Sequence, residues 1–427
     1  MTILVTGADG YIGWPTALRI ATRTDDRVLL TDTFGRREWV SEVGSTSAIP
    51  IASMAERLDA AEEVHGCANL SFVEGDLTDR SFVDELLQVH EPETVVHTAA
   101  QPSAPYSQIN GERANFTQHN NMQATRNLAW GLHENDLSDT HLIETTTTGV
   151  YGAPEFPIPE GGATMEHDGE RDDVPFPAMA GSWYHLTKSH DAANLRLAHE
   201  QFDIPVSDVR TAITYGTGTA ETAADDRLAT RFDFDYYFGV VAHRFAAQAV
   251  AGYPITVYGK GEQRKPFVAL EDAVEGLARL ALGDPDDRPA DHAVYNQVTR
   301  PISIVEMGTT IADVAAEFDL GTEVEHFENP RDEDETHKMA IENDRYLDLI
   351  DGQSVTFEAG IRDVIEALLE NADTIAAHED RFLPGVLEDR LAAEAETDAD
   401  ADAADATDAA DATDTTGDDQ EPEVEAR

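Results

Sequence analysis

Tyr184 and Lys188 lie four residues apart in the run Tyr184-His185-Leu186-Thr187-Lys188. On a helix that spacing puts both side chains on one face, where the ammonium can lower the phenol's pKa and let Tyr184 act as an acid/base on an alcohol. An isolated Tyr-x-x-x-Lys is more often a solvated helix face. Here it follows a hydroxyl-rich turn, Thr145-Thr146-Thr147-Thr148-Gly149-Val150-Tyr151-Gly152, whose Thr147 supplies a third polar group. A second constellation opens the chain, where Gly7-Ala8-Asp9-Gly10-Tyr11-Ile12-Gly13 has a G-x-x-G-x-x-G spacing. Small residues there let the backbone approach a pyrophosphate, and free N–H groups at the start of the next helix meet its charge. Asp32, 19 residues after Gly13, ends the next apolar run, where a carboxylate can bind a ribose diol. A carboxylate there repels a 2′-phosphate, so NAD is favoured over NADP, although Arg36 and Arg37 keep NADP open. Asp76-Leu77 and Ala99 follow the next two apolar runs. Asp76 could accept a hydrogen bond from adenine or cap a helix.

The elements that must position these groups alternate along the chain. Strands are expected at Thr2–Thr6, Arg27–Asp32, Leu70–Glu74, Thr94–Thr98, His141–Thr145 and Pro205–Arg210. Helices are expected between them at Trp14–Arg23, Asp79–Val89, Gly111–Glu134 and Ser182–Gln201, with Ile51–Val64 breaking the long connection from Thr33 to Asn69. Strands alternating with helices imply an α/β fold, a Rossmann doubly wound parallel sheet covered on both faces. Residues 1–210 read as the dinucleotide-binding domain. Residues 211–390 read as a smaller α/β substrate lobe with some segments returning to the first domain, carrying helices at Tyr236–Ala251, Leu270–Leu282, Ser303–Phe318 and Gly360–Asn371. Residues 391–427, with the Asp/Ala/Thr run Asp398–Asp414, hold too little apolar surface to order themselves and read as a disordered acidic tail.

Charge narrows the partners. The 427 residues carry 84 acids against 29 bases, a net charge of −55, and only four of the bases are lysines. The tail is not the whole cause, because 14 of its 37 residues are acidic against one arginine, which leaves −42 on the first 390 residues. Nucleic acid and anionic membranes are poor partners for such a surface. An acid-rich, lysine-poor surface suits a halophilic cytoplasm, where molar salt cuts the Debye length to about 3 Å. A single cysteine, Cys67, excludes a disulfide framework and a thiolate metal cluster. No apolar run reaches a membrane span, and the first residues form a strand in place of a signal peptide, so a soluble cytoplasmic protein is expected.

With these residues in place the chain resembles the extended short-chain dehydrogenase/reductase superfamily, the NAD-dependent epimerases and dehydratases, and within it the UDP-sulfoquinovose synthases. The narrower resemblance rests on Ser103-Ala104-Pro105-Tyr106-Ser107 and Thr117-Gln118-His119-Asn120-Asn121. It is supported by Pro50-Ile51-Ala52-Ser53, Phe238-Gly239, Val257-Tyr258-Gly259-Lys260-Gly261 and Asn329-Pro330-Arg331. The resemblance implies UDP-glucose and sulfite as substrates and no metal. Tyr184, supported by Lys188 and with Thr147 sharing the contact, would take the O4 proton as C4 is oxidised. The 4-keto group then acidifies C5–H, water leaves across C5 and C6, and sulfite adds to C6 before C4 is reduced again. His185 would be an acid/base or a sulfite contact, or else a helix residue turned into the core.

NAD would be held by Gly7, Asp9, Gly10, Tyr11, Ile12, Gly13, Asp32, Arg36, Asp76, Leu77, Ala99, Tyr184 and Lys188. Gln101, Tyr106, Asn121, Arg244, Gln263 and Arg331 would hold the sugar nucleotide, although in so acidic a chain each arginine could equally serve a structural ion pair. Three departures from the family pattern touch the substrate end: Pro102 where an arginine is usual, Val150 in place of a glutamate, and Lys265-Pro266 in place of Arg-Gly. The alternatives are a UDP-sugar 4-epimerase, a 4,6-dehydratase and a non-catalytic NAD-bound scaffold. Extended relatives commonly form homodimers through two helices per subunit, here Gly111–Glu134 and Ser182–Gln201.

The charge makes a prediction of its own. Circular dichroism during dialysis from molar KCl to millimolar salt should show cooperative loss of structure, because self-repulsion is no longer screened. A native spectrum retained at millimolar salt would remove the argument from surface charge.

Overall fold

Ile3 and Val5 point to one side of the first strand and Leu4 to the other, and all three are fully buried in two different apolar clusters. A strand buried on both faces belongs to the interior of a parallel sheet. The computed structural model describes residues 1–176, 178–283, 292–328 and 339–390. Its first half runs β1 (Thr2–Thr6), α1 (Gly13–Arg23), β2 (Arg27–Asp32), α2 (Gly35–Glu42), α3 (Met54–His65), β3 (Leu70–Glu74), α4 (Arg80–His90), β4 (Thr94–His97), α5 (Ala104–Ser107), α6 (Gly111–Glu134) and β5 (His141–Thr147). A hairpin of β6 (Gly162–His167) and β7 (Glu170–Pro175) precedes α7 (Trp183–Phe202) and β8 (Val206–Thr211).

Then come β9 (Ile213–Tyr215), α8 (Val241–Val250), β10 (Ile255–Tyr258), β11 (Arg264–Ala269), α9 (Leu270–Leu282), β12 (His292–Gln297), β13 (Arg300–Ser303), α10 (Ile304–Ala316), β14 (Val324–Phe327), α11 (Asp344–Leu349), α12 (Phe357–Glu370) and α13 (Ala372–Ala376).

Seven strands form one parallel sheet in the order β12-β8-β5-β4-β1-β2-β3. One face carries α1, α3 and α9 through Leu18, Ala60 and Leu277, and the other carries α4, α6 and α7 through Leu87, Leu128 and Leu195. The order reverses between β1 and β4, and the crevice outside the carboxyl ends of the strands at such a point is where this architecture binds ligands. The later segments build a parallel pair, β10 with β14, and a three-stranded sheet, β13-β11-β9. Met1–Phe382 form one compact unit, to which the described residues Leu383–Arg390 do not belong. The expected disordered tail, 391–427, lies outside the described residues.

Several boundaries move, each for a local reason. Ser53 caps α3 in a reciprocal box with Glu56, so that helix starts at Met54 and not at Ile51. The helix expected from Tyr236 starts only at Val241, because Asp235 takes the N–H groups of Tyr237 and Phe238 in a turn, and a Cβ at Gly239 would come within 2.5 Å of the Phe234 backbone. Asp79, not Asp76, caps α4. The elements not expected include α2, the short helices α5, α11 and α13, and the β6–β7 hairpin. The hairpin turns through Asp168-Gly169, both at positive φ, a tight-turn dipeptide that the sequence displays.

Arg19, 1 % exposed on α1, locks this frame. Its guanidinium bonds Glu221 at 2.9 and 2.7 Å, Glu275 at 3.3 Å, the Glu271 carboxylate and the Glu271 carbonyl, tying α1 to α9. Burial alone would push the Glu275 carboxyl up, but hydrogen bonds from Arg23 and Arg279 and the charge of Arg19 hold it at about 2. Arg19→Met leaves Glu221 and Glu271 without this cation, while Glu275 keeps Arg23 and Arg279, and should cost about 3–5 kcal/mol near neutral pH. Against its burial, Arg19 holds the Glu221 carboxyl below its ordinary value. A depressed carboxylate stabilises above its ordinary range, so urea unfolding should show the gap from wild type closing as pH falls below about 4.5. A pH-independent gap would mean that the apolar stem of Arg19, not its charge, holds α1.

Candidate active site

The glycine turn after β1 is shaped by contact, not by flexibility alone. Gly7 has φ +73°, and a Cβ there would lie 2.6 Å from the Ala99 nitrogen; one at Gly13 would lie 2.1 Å from the Gly7 carbonyl. The ends of β1 and β4 therefore close on each other and the first turn of α1 sits directly behind them. Asp9 donates its N–H to Asp32 Oδ2 at 2.8 Å, and Phe34 donates to Oδ1 at 2.7 Å. Burial pushes the Asp32 carboxyl up while these backbone bonds oppose it.

A cleft of about 850 Å³ opens beyond this turn. Its walls include Gly7, Gly10, Tyr11, Ile12, Gly13, Asp32, Arg36, Asp76, Leu77 and Ala99 at one end, and Thr147, Tyr184, His185, Lys188, Arg244 and Lys265 further along. Two constellations far apart in sequence thus share one space. Asp76 makes a local turn with the N–H of Thr78 at 2.7 Å. Tyr11 commits its phenol to the Gly216 carbonyl at 2.6 Å, and Arg36 pairs with Asp233 at 2.7 Å while its guanidinium lies 4.2 Å from the Phe238 ring centre.

At the other end the four threonines divide their duties. Thr145 donates to the His97 carbonyl, Thr146 to Asp208 and Thr148 to the Thr211 carbonyl. Thr147 only accepts, from Gly149 N–H at 3.1 Å, so its own proton remains for a ligand. Ser182 caps α7 and sets Tyr184 and Lys188 in its first two turns. Burial pushes the Tyr184 phenol up, with the Lys188 charge pulling it down and Asp191 pushing it up again. The expected lowering by Lys188 is therefore present but outweighed. Lys188 Nζ lies 3.3 Å from both Glu144 Oε1 and Asp191 Oδ2. His185 is held at about 4 by burial, with the nearby Lys265 charge in the same direction, and is neutral at pH 7. A Cβ on Gly149 would meet its ring at 2.3 Å, so it packs on the threonine turn facing the cleft and not into the core.

Five expected contacts lie outside the walls of the cleft. Asp9 is fully buried and salt-bridged to Arg37 at 2.6 Å and Arg57 at 3.2 Å, so it braces the turn from behind. The Gln101 side chain folds back on Ser103, and Asn121 holds the Gln101 main chain and Thr187. Tyr106 gives its hydroxyl to Glu42 at 2.7 Å, and Gln263 does not reach the lining. Arg331 lies outside the described residues. Asn120, one residue before Asn121, reaches the cleft instead; a single residue on a helix turns the side chain by about 100°. Lys265 and Pro102 also line it, whereas Val150 is buried with Tyr151, Ile158, Phe176 and Met339. Lys265 was noted only as a departure from a pattern, and its type alone, a rare lysine in an acidic chain, was the available signal.

Residues 3–296 match the model of the NAD dependent epimerase/dehydratase family. The chain belongs to this family. It is 35 % identical over 347 residues to the chloroplastic UDP-sulfoquinovose synthase of Spinacia oleracea, covering 81 % of this chain and 71 % of that protein. Over 339 residues it is 37 % identical to a UDP-sulfoquinovose synthase of Sulfolobus acidocaldarius, covering 79 % and 84 %. In fold it is similar to a UDP-glucuronic acid 4-epimerase of Bacillus cereus in complex with UDP-glucuronic acid and NAD, with a TM-score of 0.63 at 19 % identity over 87 % of this chain and 99 % of that one. It is also similar in fold to a UDP-glucose 4-epimerase of Thermotoga maritima, TM-score 0.63 at 18 % identity, covering 87 % and 100 %.

The chain is therefore an enzyme of the NAD-dependent epimerase/dehydratase type, with NAD as its cofactor. The turn fits that cofactor, because it leaves no Cβ in the way and puts a carboxylate at its rim. Among the described residues no helix is long and apolar enough to cross a membrane.

Asp32 tests the cofactor end. Asp32→Ala removes a charged acceptor and should weaken NAD binding by roughly 10- to 100-fold, the equivalent of about 1.5–3 kcal/mol, while leaving NADP binding little changed. Calorimetric titration with each dinucleotide measures the ratio. Equal losses would mean that the carboxylate serves only the two backbone N–H groups it already holds.

Proposed function

We propose that the protein is a UDP-sulfoquinovose synthase, converting UDP-glucose and sulfite to UDP-sulfoquinovose and water. The observation that carries this reading is identity of 35–37 % to two such synthases along about four fifths of the chain. The cleft supports it by bringing Thr147, Tyr184 and Lys188 into one wall.

NAD, when bound, supplies a reversible oxidation at C4 of the sugar and is not consumed overall. Tyr184 takes the proton from O4, and Thr147 donates its hydroxyl to the same oxygen. Lys188 stabilises the phenolate form of Tyr184 that accepts this proton. The C4 ketone makes the C5 proton acidic. Loss of that proton and of the C6 hydroxyl gives an enone, to which the sulfur lone pair of sulfite adds at C6. His185, neutral and facing the cleft, is suited to take the C5 proton as a base, not to hold sulfite as a cation. The anionic groups of substrate and sulfite fall to Arg244 and Lys265. Gln101, Tyr106 and Asn121 contribute by fixing α5, α6 and α7 behind the site. We place the enzyme in the cytoplasm as a homodimer joined through α6 and α7, which expose Trp130 and Leu197.

A UDP-sugar 4-epimerase is the second reading, favoured by Pro102, which offers no cation to an anion at the rim of the cleft, and by Val150, which is buried among apolar side chains. Sulfite dependence separates the two. With UDP-glucose and sulfite the purified enzyme should form a sulfonated, more strongly retained product on anion exchange with no net NAD consumed. An epimerase would form UDP-galactose whether or not sulfite is present, and that product alone would sink the synthase reading. Tyr184→Phe should abolish either activity while NAD stays bound.

A further inference from the structure

The chemistry above leaves two buried acids without a task. Glu144 on β5 is 0 % exposed, accepts from Thr125 Oγ1 at 3.0 Å and stands 3.3 Å from Lys188 Nζ. Its second oxygen has no hydrogen-bond partner among the described residues. Asp191, three residues after Lys188 on α7 and equally buried, stands 3.3 Å from the same ammonium. One carboxylate would neutralise one ammonium, and a second one in a dry interior is costly unless it does something. An ammonium has three N–H donors. With one donated to Glu144 and Asp191 held at ion-pair distance, donors are left for the cleft that Lys188 lines.

The surroundings make this pair the main control on Lys188. From β4, His97 is paired in register with Glu144 and is held at about 3 by burial and by the Lys188 charge, so it is neutral. From β8, Asp208 is paired in register on the other side but is matched by Arg210 at 3.0 Å, with His292 4.0 Å away. From α6 comes Thr125, and from α7 come Tyr184, Lys188, Asp191 and the exposed His190. Arg36 acts on Tyr184 from the far side of the cleft.

We propose that Glu144 and Asp191 are positioning residues that fix the Lys188 ammonium beside Tyr184 and weaken its pull on the phenol. They thereby set the pH at which Tyr184 can act as a base. This rests on Tyr184 being the acid/base of the proposed reaction. Burial pushes the Glu144 carboxyl up to about 8 against the pull of Lys188, which is still below the range in which the buried Tyr184 phenol titrates, so Glu144 is ionised there. Burial pushes Asp191 up as well, with Lys188 opposing it. Replacing one of them by its amide removes a negative charge from the cluster and must lower the phenol's midpoint.

The test needs no substrate. Near-ultraviolet phenolate absorbance of the NAD-bound enzyme is titrated with and without the Tyr184→Phe change, and the difference reports Tyr184 alone. Glu144→Gln should move that midpoint down by at least about one pH unit. Glu144→Asp should move it less. In turnover the ascending, acid-side limb of kcat should shift down by the same amount with KM for UDP-glucose held. An unchanged midpoint in a folded Glu144→Gln enzyme overturns the proposal, whatever the product of turnover is. Asp191→Asn gives the same reading if Glu144→Gln does not fold, and loss of fold in both, seen by circular dichroism, assigns the acids to structure and overturns it too. If the shift appears but no sulfonated product forms, the positioning role stands and the synthase reading fails.

Discussion

The contact between Gly7 and the Ala99 peptide is the constraint from which the site follows. Only the lack of a Cβ lets the ends of β1 and β4 come this close, and only at that separation does the first turn of α1 lie over the crevice. The free N–H groups expected there are largely committed, because Trp14 donates to the Gly10 carbonyl, Thr16 to that of Ile12, and Pro15 has no N–H. The same turn sends Asp9 inward to Arg37 and Arg57 and its N–H outward to Asp32. Asp32, the carboxylate that lines the cleft, is thus placed by a residue whose own side chain is buried away from it. Arg57, fully buried, is pulled down to about 10 by burial, yet remains a cation at neutral pH and keeps Asp9 in place.

The parallel core was legible because strands buried on both faces have no other reading. Continuous apolar runs such as Ile3-Leu4-Val5 and Val28-Leu29-Leu30, each followed by a turn and an amphipathic stretch, allow little besides a doubly wound sheet. That Thr147, Tyr184 and Lys188 belong together was legible for a similar reason, since type and spacing marked them jointly, and the fold brings all three to one cleft. What escaped the sequence was direction. Asp9, Gln101, Tyr106 and Asn121 were found near the site but face away from it, because nothing in one chain tells a residue that touches a ligand from one that holds its neighbour. Asn120 and Asn121 show the limit: the motif was visible, and which asparagine enters the cleft was decided by how α6 packs on β4 and α7. Glu144 escaped altogether, because an acid within a strand's buried run has no motif around it.

Charge is distributed by a different rule inside and out. Buried arginines are matched locally, Arg19 by three glutamates, Arg36 and Arg231 by Asp233, and Arg210 by Asp208. The surplus acid lies outside, as on the β6–β7 hairpin, where Glu166, Asp168, Glu170, Asp172 and Asp173 are all exposed. A surface so acidic repels anions, whereas the cleft gathers cations in its walls, Arg244 and Lys265 among them.

The position of β12 bears on how the chain is made. Val206 pairs with His292 and Thr211 with Gln297, so the outer edge of β8 gains its neighbour only from residues that lie beyond β9, α8, β10, β11 and α9. Until synthesis has passed Gln297 the growing sheet ends at β8, a strand with a full row of unpaired backbone groups, which is a template for pairing with another chain. The cleft walls contributed by Thr211, Ala212 and Thr214 sit on that same unfinished edge. During translation the dinucleotide turn can form early, but the nascent protein has a sticky, incomplete substrate side for as long as the ribosome is building α8 through α9.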